Sequence, residues 1–179
     1  MKSTLLLILI AVPANLSAQT YFHFPDSNAV WSVYDHKYYL NGDTFNNSLN
    51  YKKYYDLFDS VYNPANGVLY ALLREDTVAK KIYAVNLNTG NENLLYDFSL
   101  NVNDTVTVYP LWIMVFGNLI TVKVDSIDSI NVAGQYRKRF KMKDINNNWG
   151  ITEYWIEGIG STFGPFNSGL AGYMVVDIY

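Results

Sequence analysis

Pairs of carboxylates in this sequence can be tested for hydrolase chemistry, because a glycoside hydrolase needs two carboxylates about 5 to 10 Å apart. Glu153 and Glu157 share one face if residues 151–157 form a strand, yet four strand residues separate them by roughly 13 Å. Asp125 and Asp128 differ by an odd number and face opposite sides of a strand. A hydrolase would need a carboxylate pair built from distant segments, and it stays open as the least favoured alternative.

The chain contains few of the residues that histidine-based or cysteine-based catalysis requires. His23 and His36 are its two histidines, and it has no cysteine. The Gly-x-Ser-x-Gly turn that presents a hydrolase nucleophile does not occur. We expect both histidines to be packed or surface side chains, and we expect neither thiol catalysis nor a zinc site.

One loop resembles half of a calcium site. From Asp144 to Asn148, oxygen-bearing side chains recur at alternate positions, as calcium loops require. The match then ends, since Trp149 occupies the place of the turn glycine and Glu153 comes two places before the expected bidentate glutamate. Asparagine tolerates the left-handed backbone region, so we interpret the stretch as a hairpin turn. We predict no bound metal and no cofactor.

A row of basic side chains, here called the basic row, shares one face of a predicted strand, because its members lie two residues apart: Arg137, Arg139, Lys141 and Lys143. A hairpin through Ala133-Gly134 would pair Asp128 with Arg139. One interpretation is a surface that binds anions or acidic glycans through Arg137, Arg139 and Lys141. The other is a solvated face with one cross-strand ion pair, which the acidic net charge of -3 favours.

The segment from Trp155 to Gly160 predicts a strand that ends in a glycine-rich turn. No Gly-Lys-Ser/Thr follows, so it is not a phosphate-binding loop. We expect its glycines to allow a close approach of main chains and Trp155 to pack in the core. Alternatively, Glu157 orients a ligand at a sheet edge, which makes it the fourth candidate ligand-binding residue. No catalytic residue is predicted.

The elements that must position these residues are hairpins. Asn or Gly connections between β-rich runs favour two-residue turns, and they occur at Asn41-Gly42, Gly117-Asn118 and Ala133-Gly134. Looser turns are predicted at 63–67, 88–91 and 146–150. Turns at this spacing predict an all-β fold, a mainly antiparallel, hairpin-rich sandwich or barrel.

Residues 51–62 approach helical spacing, but their five aromatic residues favour a strand, which is our prediction. The apolar run 111–116 has no polar alternation, which indicates a central strand. The predicted core comprises Trp31, Tyr83, Leu95, Phe98, Trp112, Ile113, Val115, Val122, Phe140, Trp155 and Ile156.

The first eighteen residues have the pattern of a secretory signal peptide. Lys2 precedes the apolar run 5–12, and Leu16-Ser17-Ala18 offers a cleavage site before Gln19. The apolar run is shorter than the roughly 20 residues that span a bilayer. We therefore predict a signal peptide at 1–18, a single β domain at 19–179, no membrane span in the mature chain, and a secreted or periplasmic location.

The hydrophobic content and the net charge of the chain limit the classes of partner that it can bind. Half of the residues are hydrophobic and 16% are aromatic, which is ample for a core without disulfides. The acidic net charge gives no drive toward nucleic acid or acidic membranes. Possible partners are therefore a glycan or an envelope protein.

Five segments of the sequence carry a family resemblance: Phe24 to Trp31, Arg74 to Thr77, Leu95 to Leu100, Tyr136 to Phe140 and Trp155 to Ser161. They resemble a family of secreted proteins from the Bacteroidota, in which a domain of this kind is often followed by a sorting domain for the type IX secretion system. The resemblance implies export. We expect this chain to lack such a sorting domain, and we therefore expect a periplasmic location as readily as a secreted one. The resemblance implies no catalytic residue.

Together these observations predict an exported, non-enzymatic module that binds a glycan or another component of the cell envelope, because aromatic faces suit sugar stacking. The first alternative is a structural or assembly protein that pairs through an open sheet edge. An uncharacterised hydrolase is the second.

Overall fold

The computed structural model describes residues 20–33, 35–59, 61–110, 119–145 and 153–165, and the backbone of 176–178. These residues form two antiparallel sheets and a 3₁₀ helix, Pro64–Asn66. The first sheet has the order β12-β1-β2-β3-β4-β5-β6. Its strands are β1 (Val30–Val33), β2 (His36–Asn46), β3 (Leu49–Phe58), β4 (Val68–Asp76), β5 (Lys81–Asn86), β6 (Glu92–Asp97) and β12 (Val176–Ile178).

The second sheet has the order β11-β10-β9-β8-β7. Its strands are β7 (Thr105–Val108), β8 (Ile120–Val132), β9 (Gln135–Asp144), β10 (Glu153–Ile156) and β11 (Gly160–Ser161). The two sheets pack around a shared core, so the predicted all-β, mainly antiparallel fold is confirmed. Within the described parts of the chain, no helix combines the length and apolar character needed to cross a membrane.

The core confirms most of the predicted interior. Buried residues form it: Trp31 and Leu95 from the first sheet, Phe98 from the turn after β6, and Val122, Phe140 and Trp155 from the second sheet. Ile156 is also buried. Tyr83 was predicted wrongly, since it is half-buried beneath the Arg74 guanidinium, 4.4 Å from its ring centre. Trp112, Ile113 and Val115 lie outside the described residues, as do the predicted signal peptide, the Gly117-Asn118 turn and the 146–150 turn.

The predicted hairpin at Asn41-Gly42 is wrong. β2 runs straight through these residues, and the register with β3 shifts between Leu40 and Asp43. One extra residue on β2 makes this a β-bulge, and Gly42 supplies the positive φ of 78°. The chain reverses instead at Asn47-Ser48, where both residues have positive φ.

Other local predictions are confirmed. The strand predicted over 51–62 is confirmed for 51–58, since β3 ends at Phe58. The hairpin through Ala133-Gly134 pairs Asp128 with Arg139 and Ile127 with Phe140. In the 63–67 turn, the Asn63 side chain accepts a bond from the Ala65 N–H and caps the 3₁₀ helix. β3 supplies one wall of the cleft described next.

Candidate functional site

A cleft of about 270 Å³ opens on the inner face of the first sheet, beside the segment that precedes β1. We name it the Lys52 cleft. Its lining residues are Phe24, Pro25, Asp26, Leu40, Asn50, Lys52, Leu73, Arg74, Glu75, Thr77 and Ile82. Leu40, Leu73 and Ile82 are buried and form an apolar floor, whereas the rim is polar.

The charges on this rim already have partners. Lys52 Nζ lies 3.0 Å from Asp43 Oδ1 and 3.9 Å from Asp26 Oδ1. Arg74 turns its side chain to the other face of the sheet, where it stacks on Tyr83 and binds Glu92 through two hydrogen bonds of 2.8 and 3.0 Å. The rim therefore presents compensated charge, which favours a neutral ligand over a strongly charged one.

Glu75 ties the segment before β1 to the cleft wall. Its Oε1 accepts hydrogen bonds from the Tyr21 hydroxyl at 2.8 Å and from the Phe24 N–H at 3.3 Å, and His23 Nδ1 lies 3.6 Å away. Burial, reinforced by the Glu75 charge, raises the pKa of Tyr21, so the hydroxyl keeps the proton that it donates. Phe24 thus forms part of the cleft because Glu75 holds its main chain.

The basic row lies on the second sheet, away from this cleft, and three of its four charges are paired with aspartates. Arg139 binds both oxygens of Asp128, at 2.8 and 2.6 Å. Lys141 and Lys143 share Asp125 at 3.1 and 2.6 Å. Hydrogen bonds from the basic row lower the pKa of both aspartates. The row thus has several cross-strand ion pairs rather than the single one considered above.

Arg137 and Glu157, the other two candidate ligand residues, lie together beside the 157–159 turn. Arg137 Nη1 donates to the main-chain oxygen of Glu157 at 3.2 Å and stacks over Phe22. The Glu157 side chain is only 1% exposed. The structure thus separates the four residues into two places, and their predicted ligand role stays a prediction.

The turn at 157–159 and the strand after it contact two other segments that carry the family resemblance, Phe24 to Trp31 and Leu95 to Leu100. Its Ile159 oxygen accepts a 3.2 Å bond from the Trp31 indole, and the Ser161 N–H donates to the Tyr96 hydroxyl at 3.1 Å. Phe24 stacks between Trp31 and Tyr96. These residues therefore hold the two sheets together. The expected close approach of main chains at the glycines is confirmed, since a Cβ added at Gly158 would lie only 2.7 Å from the His23 carbonyl oxygen.

Both histidines have carboxylate neighbours. His23 is exposed beside Glu75. His36 Nδ1 lies 2.8 Å from Asp56 Oδ1, with its ring stacked on Tyr38. Among the described residues, no three potential His, Cys, Asp or Glu ligands gather in one place.

Removing the Glu157 charge is expected to change the pH dependence of stability. Burial raises the pKa of Glu157, against the opposing effect of the Lys138 and Lys80 charges. Folding therefore binds a proton more tightly, so this group's stabilising contribution is present at pH 4 and is lost as pH rises through the folded pKa. Glu157→Gln should be more stable than the parent at pH 8, and the difference should vanish near pH 4. Urea unfolding across this range measures it, and parallel curves would contradict it.

Comparison with protein-family models, with curated proteins and with solved structures found no match to this chain. The class that the fold defines is an all-β, antiparallel two-sheet protein. Its function must be argued from the Lys52 cleft itself.

Proposed function

We propose that this chain is an exported binding module that holds one neutral sugar residue of a glycan, or of another envelope polymer, in the Lys52 cleft. The observation that supports the proposal is the combination of an apolar floor with a charge-compensated polar rim. Leu40, Leu73 and Ile82 form that floor, and Asn50 and Thr77 stand on the rim. Ligand sites generally combine an apolar lining with a few polar groups that fix orientation.

A sugar ring matches this arrangement on both of its sides. Its C–H face packs on the floor and on Phe24, and its hydroxyls exchange hydrogen bonds with Asp26, Asn50 and Lys52. The cleft lies at the small end of ligand sites, which run from about 300 Å³ upward, so it suits a single ring. Because Lys52 is held by Asp43 at 3.0 Å, it can donate to a hydroxyl without a large loss of side-chain freedom.

Neutralising Lys52 is expected to weaken glycan binding, and β3 offers a matched control. Lys53 is the next residue and faces the opposite side of the sheet, away from the cleft. We expect Lys52→Gln to lose roughly tenfold in affinity, as deletion of a hydrogen bond from a charged donor does, and Lys53→Gln to bind like the parent.

Thermal melting of the mature chain with a panel of neutral and acidic glycans is the measurement. A ligand at a hundred times its dissociation constant stabilises the folded state by about 2.7 kcal/mol, which raises the melting temperature by several degrees. A shift with one neutral glycan, reduced in Lys52→Gln alone, supports the proposal. The proposal is overturned if no glycan in the panel changes the melting temperature. It is also overturned if acidic glycans raise the melting temperature and only Arg139→Gln removes that shift, an outcome that places the ligand on the basic row.

The hydrolase alternative stays a prediction. Glu75 is the carboxylate on the cleft wall, but its Oε1 already accepts bonds from Tyr21 and Phe24. Asp26 also lines the cleft and is largely exposed. Release of reducing sugar from a bound glycan would identify a hydrolase in the same experiment.

A further inference from the structure

The β8–β9 hairpin extends past the strand beside β8. β7 pairs with β8 only from Ile120 to Lys123. The loop before β7 covers one more residue, because the Asn103 N–H donates to the Val124 oxygen and the Val124 N–H donates to the Asp104 oxygen. From Ser126 to Val132, β8 has β9 on one side and, among the described residues, no strand on the other.

This free edge lacks the usual protection against pairing. Natural proteins guard open edges with charged side chains, especially lysine, or with proline. The edge sequence Ser-Ile-Asp-Ser-Ile-Asn-Val contains neither lysine nor proline. Its one charge, Asp128, is neutralised by two hydrogen bonds from Arg139 of its own hairpin. The edge therefore offers a stretch of ordinary strand length that is open to a partner.

The hydrogen bonds of β9 show which groups face outward. The Lys138 oxygen accepts from the Glu157 N–H on the β10 side. Lys138 is paired with Ser129 on β8. Two directly opposed residues of an antiparallel ladder either direct their main-chain N–H and C=O groups toward each other or both direct them away. Ser129 therefore directs its N–H and C=O away from β9, and by alternation so do Ile127 and Asn131.

We propose that the free edge of β8 pairs with the same edge of a second copy of this chain, antiparallel about a two-fold axis at Ser129. Ser129 then exchanges both of its main-chain bonds with the partner's Ser129, and Ile127 does so with the partner's Asn131. This register adds about six main-chain hydrogen bonds and joins the two second sheets into one. It is independent of the sugar site, which lies on the first sheet.

The register explains why a second copy is the occupant. With the axis at Ser129, Ser126 lies opposite the partner's Val132. The paired stretch therefore ends where the hairpin turn of one copy reaches the loop that covers Val124 in the other copy. The whole free edge is used on both copies. Each Asp128 lies opposite the partner's Ile130 rather than opposite another aspartate, so no like charges are directly opposed. Two-fold contacts of this self-complementary kind are the commonest in homo-oligomers.

A single cysteine tests the axis, since the chain contains none. Across a hydrogen-bonded antiparallel pair the Cα atoms are about 5.5 Å apart, within the range of about 4.4 to 6.8 Å that a disulfide needs. Under mild oxidation, Ser129→Cys is expected to form a disulfide-linked dimer. The matched control is Ser126→Cys, an exposed serine of the same edge, which should remain largely unlinked because it faces the partner's Val132.

Charge at position 130 tests the register without a covalent bond. Ile130→Asp opposes the partner's Asp128 twice, whereas Ile130→Lys pairs with it twice. We expect sedimentation equilibrium of the full exported chain to give dimer dissociation constants about tenfold apart, with the aspartate variant weaker. A parent that stays monomeric at millimolar concentration, equal constants for the two variants, or equal linking of both cysteine variants would overturn the proposal.

Discussion

Replacing Gly158 by alanine is expected to destabilise the protein by about 2 to 4 kcal/mol. Two effects add at this position. Gly158 has a φ of +72°, which a residue with a Cβ adopts only with strain. A Cβ there would also lie 2.6 Å from Arg137 Nη1 and 2.7 Å from the His23 carbonyl oxygen. The arginine can move aside, but the carbonyl belongs to a main chain that Glu75 holds through Phe24.

Gly90 provides the matched control, because it has nearly the same φ, +71°, and a Cβ there would meet nothing within 4 Å. Gly90→Ala should therefore show the dihedral strain alone, about 1 to 2 kcal/mol. Urea unfolding of both variants measures the free energies, and their difference isolates the close approach of the two main chains. Equal losses would mean that the segment before β1 yields without resistance.

Trp155→Phe is the second large effect, with an expected loss of about 2 to 4 kcal/mol. Trp155 is fully buried, and its indole N–H donates to Glu153 Oε1 at 3.0 Å. Glu153 is itself fully buried. Phenylalanine leaves a cavity where the second ring was, and it deprives a buried carboxyl group of a donor, which is more costly than losing a bond at the surface.

Trp31→Phe is the control for this substitution. Trp31 is also buried, but its indole donates to a main-chain carbonyl, that of Ile159, at 3.2 Å. The same change in volume therefore leaves a neutral acceptor, and we expect a loss that is smaller by about 1 kcal/mol. Thermal and urea unfolding of the two variants give the comparison. A larger loss for Trp31→Phe would show that packing, rather than the carboxyl group, dominates at Trp155.

Local sequence patterns were sufficient where one pattern has one structural outcome. Ala133-Gly134 lies between alternating runs, and the register follows from the turn. The pairing of Asp128 with Arg139 could therefore be predicted to the residue. The charge pairing of Lys141 and Lys143 with Asp125 could not, because it depends on the bulge at Asp125 that shifts the register of β8.

Patterns failed where one residue type serves two structures. Asn41-Gly42 has the composition of a tight turn, but a positive φ at glycine also suits a β-bulge, and tertiary pairing of β2 with β3 decided the outcome. The prediction that Tyr83 belongs to the core was wrong for a related reason. Ile82 and Ala84 take the core face of β5, so alternation turns Tyr83 toward Arg74 on the other face.

The Lys52 cleft could not be predicted because its lining residues are spread over the segment before β1, strands β2 to β5 and the turn that follows β4. No spacing in the sequence links Asp26 to Lys52 or Glu75 to Tyr21. Only the packing of the segment before β1 against the first sheet brings these groups together.

The bond between the Trp31 indole and the Ile159 oxygen spans 128 positions of the chain. Loop-closure entropy must be overcome before such a distant contact stabilises anything, and topologies rich in distant contacts fold slowly for this reason. The core around Trp31 therefore cannot be completed while the chain is still emerging from the ribosome. Until β10 and the 157–159 turn arrive, the first sheet keeps an uncovered aromatic surface, which is the period when a chaperone or an aggregating neighbour can bind it.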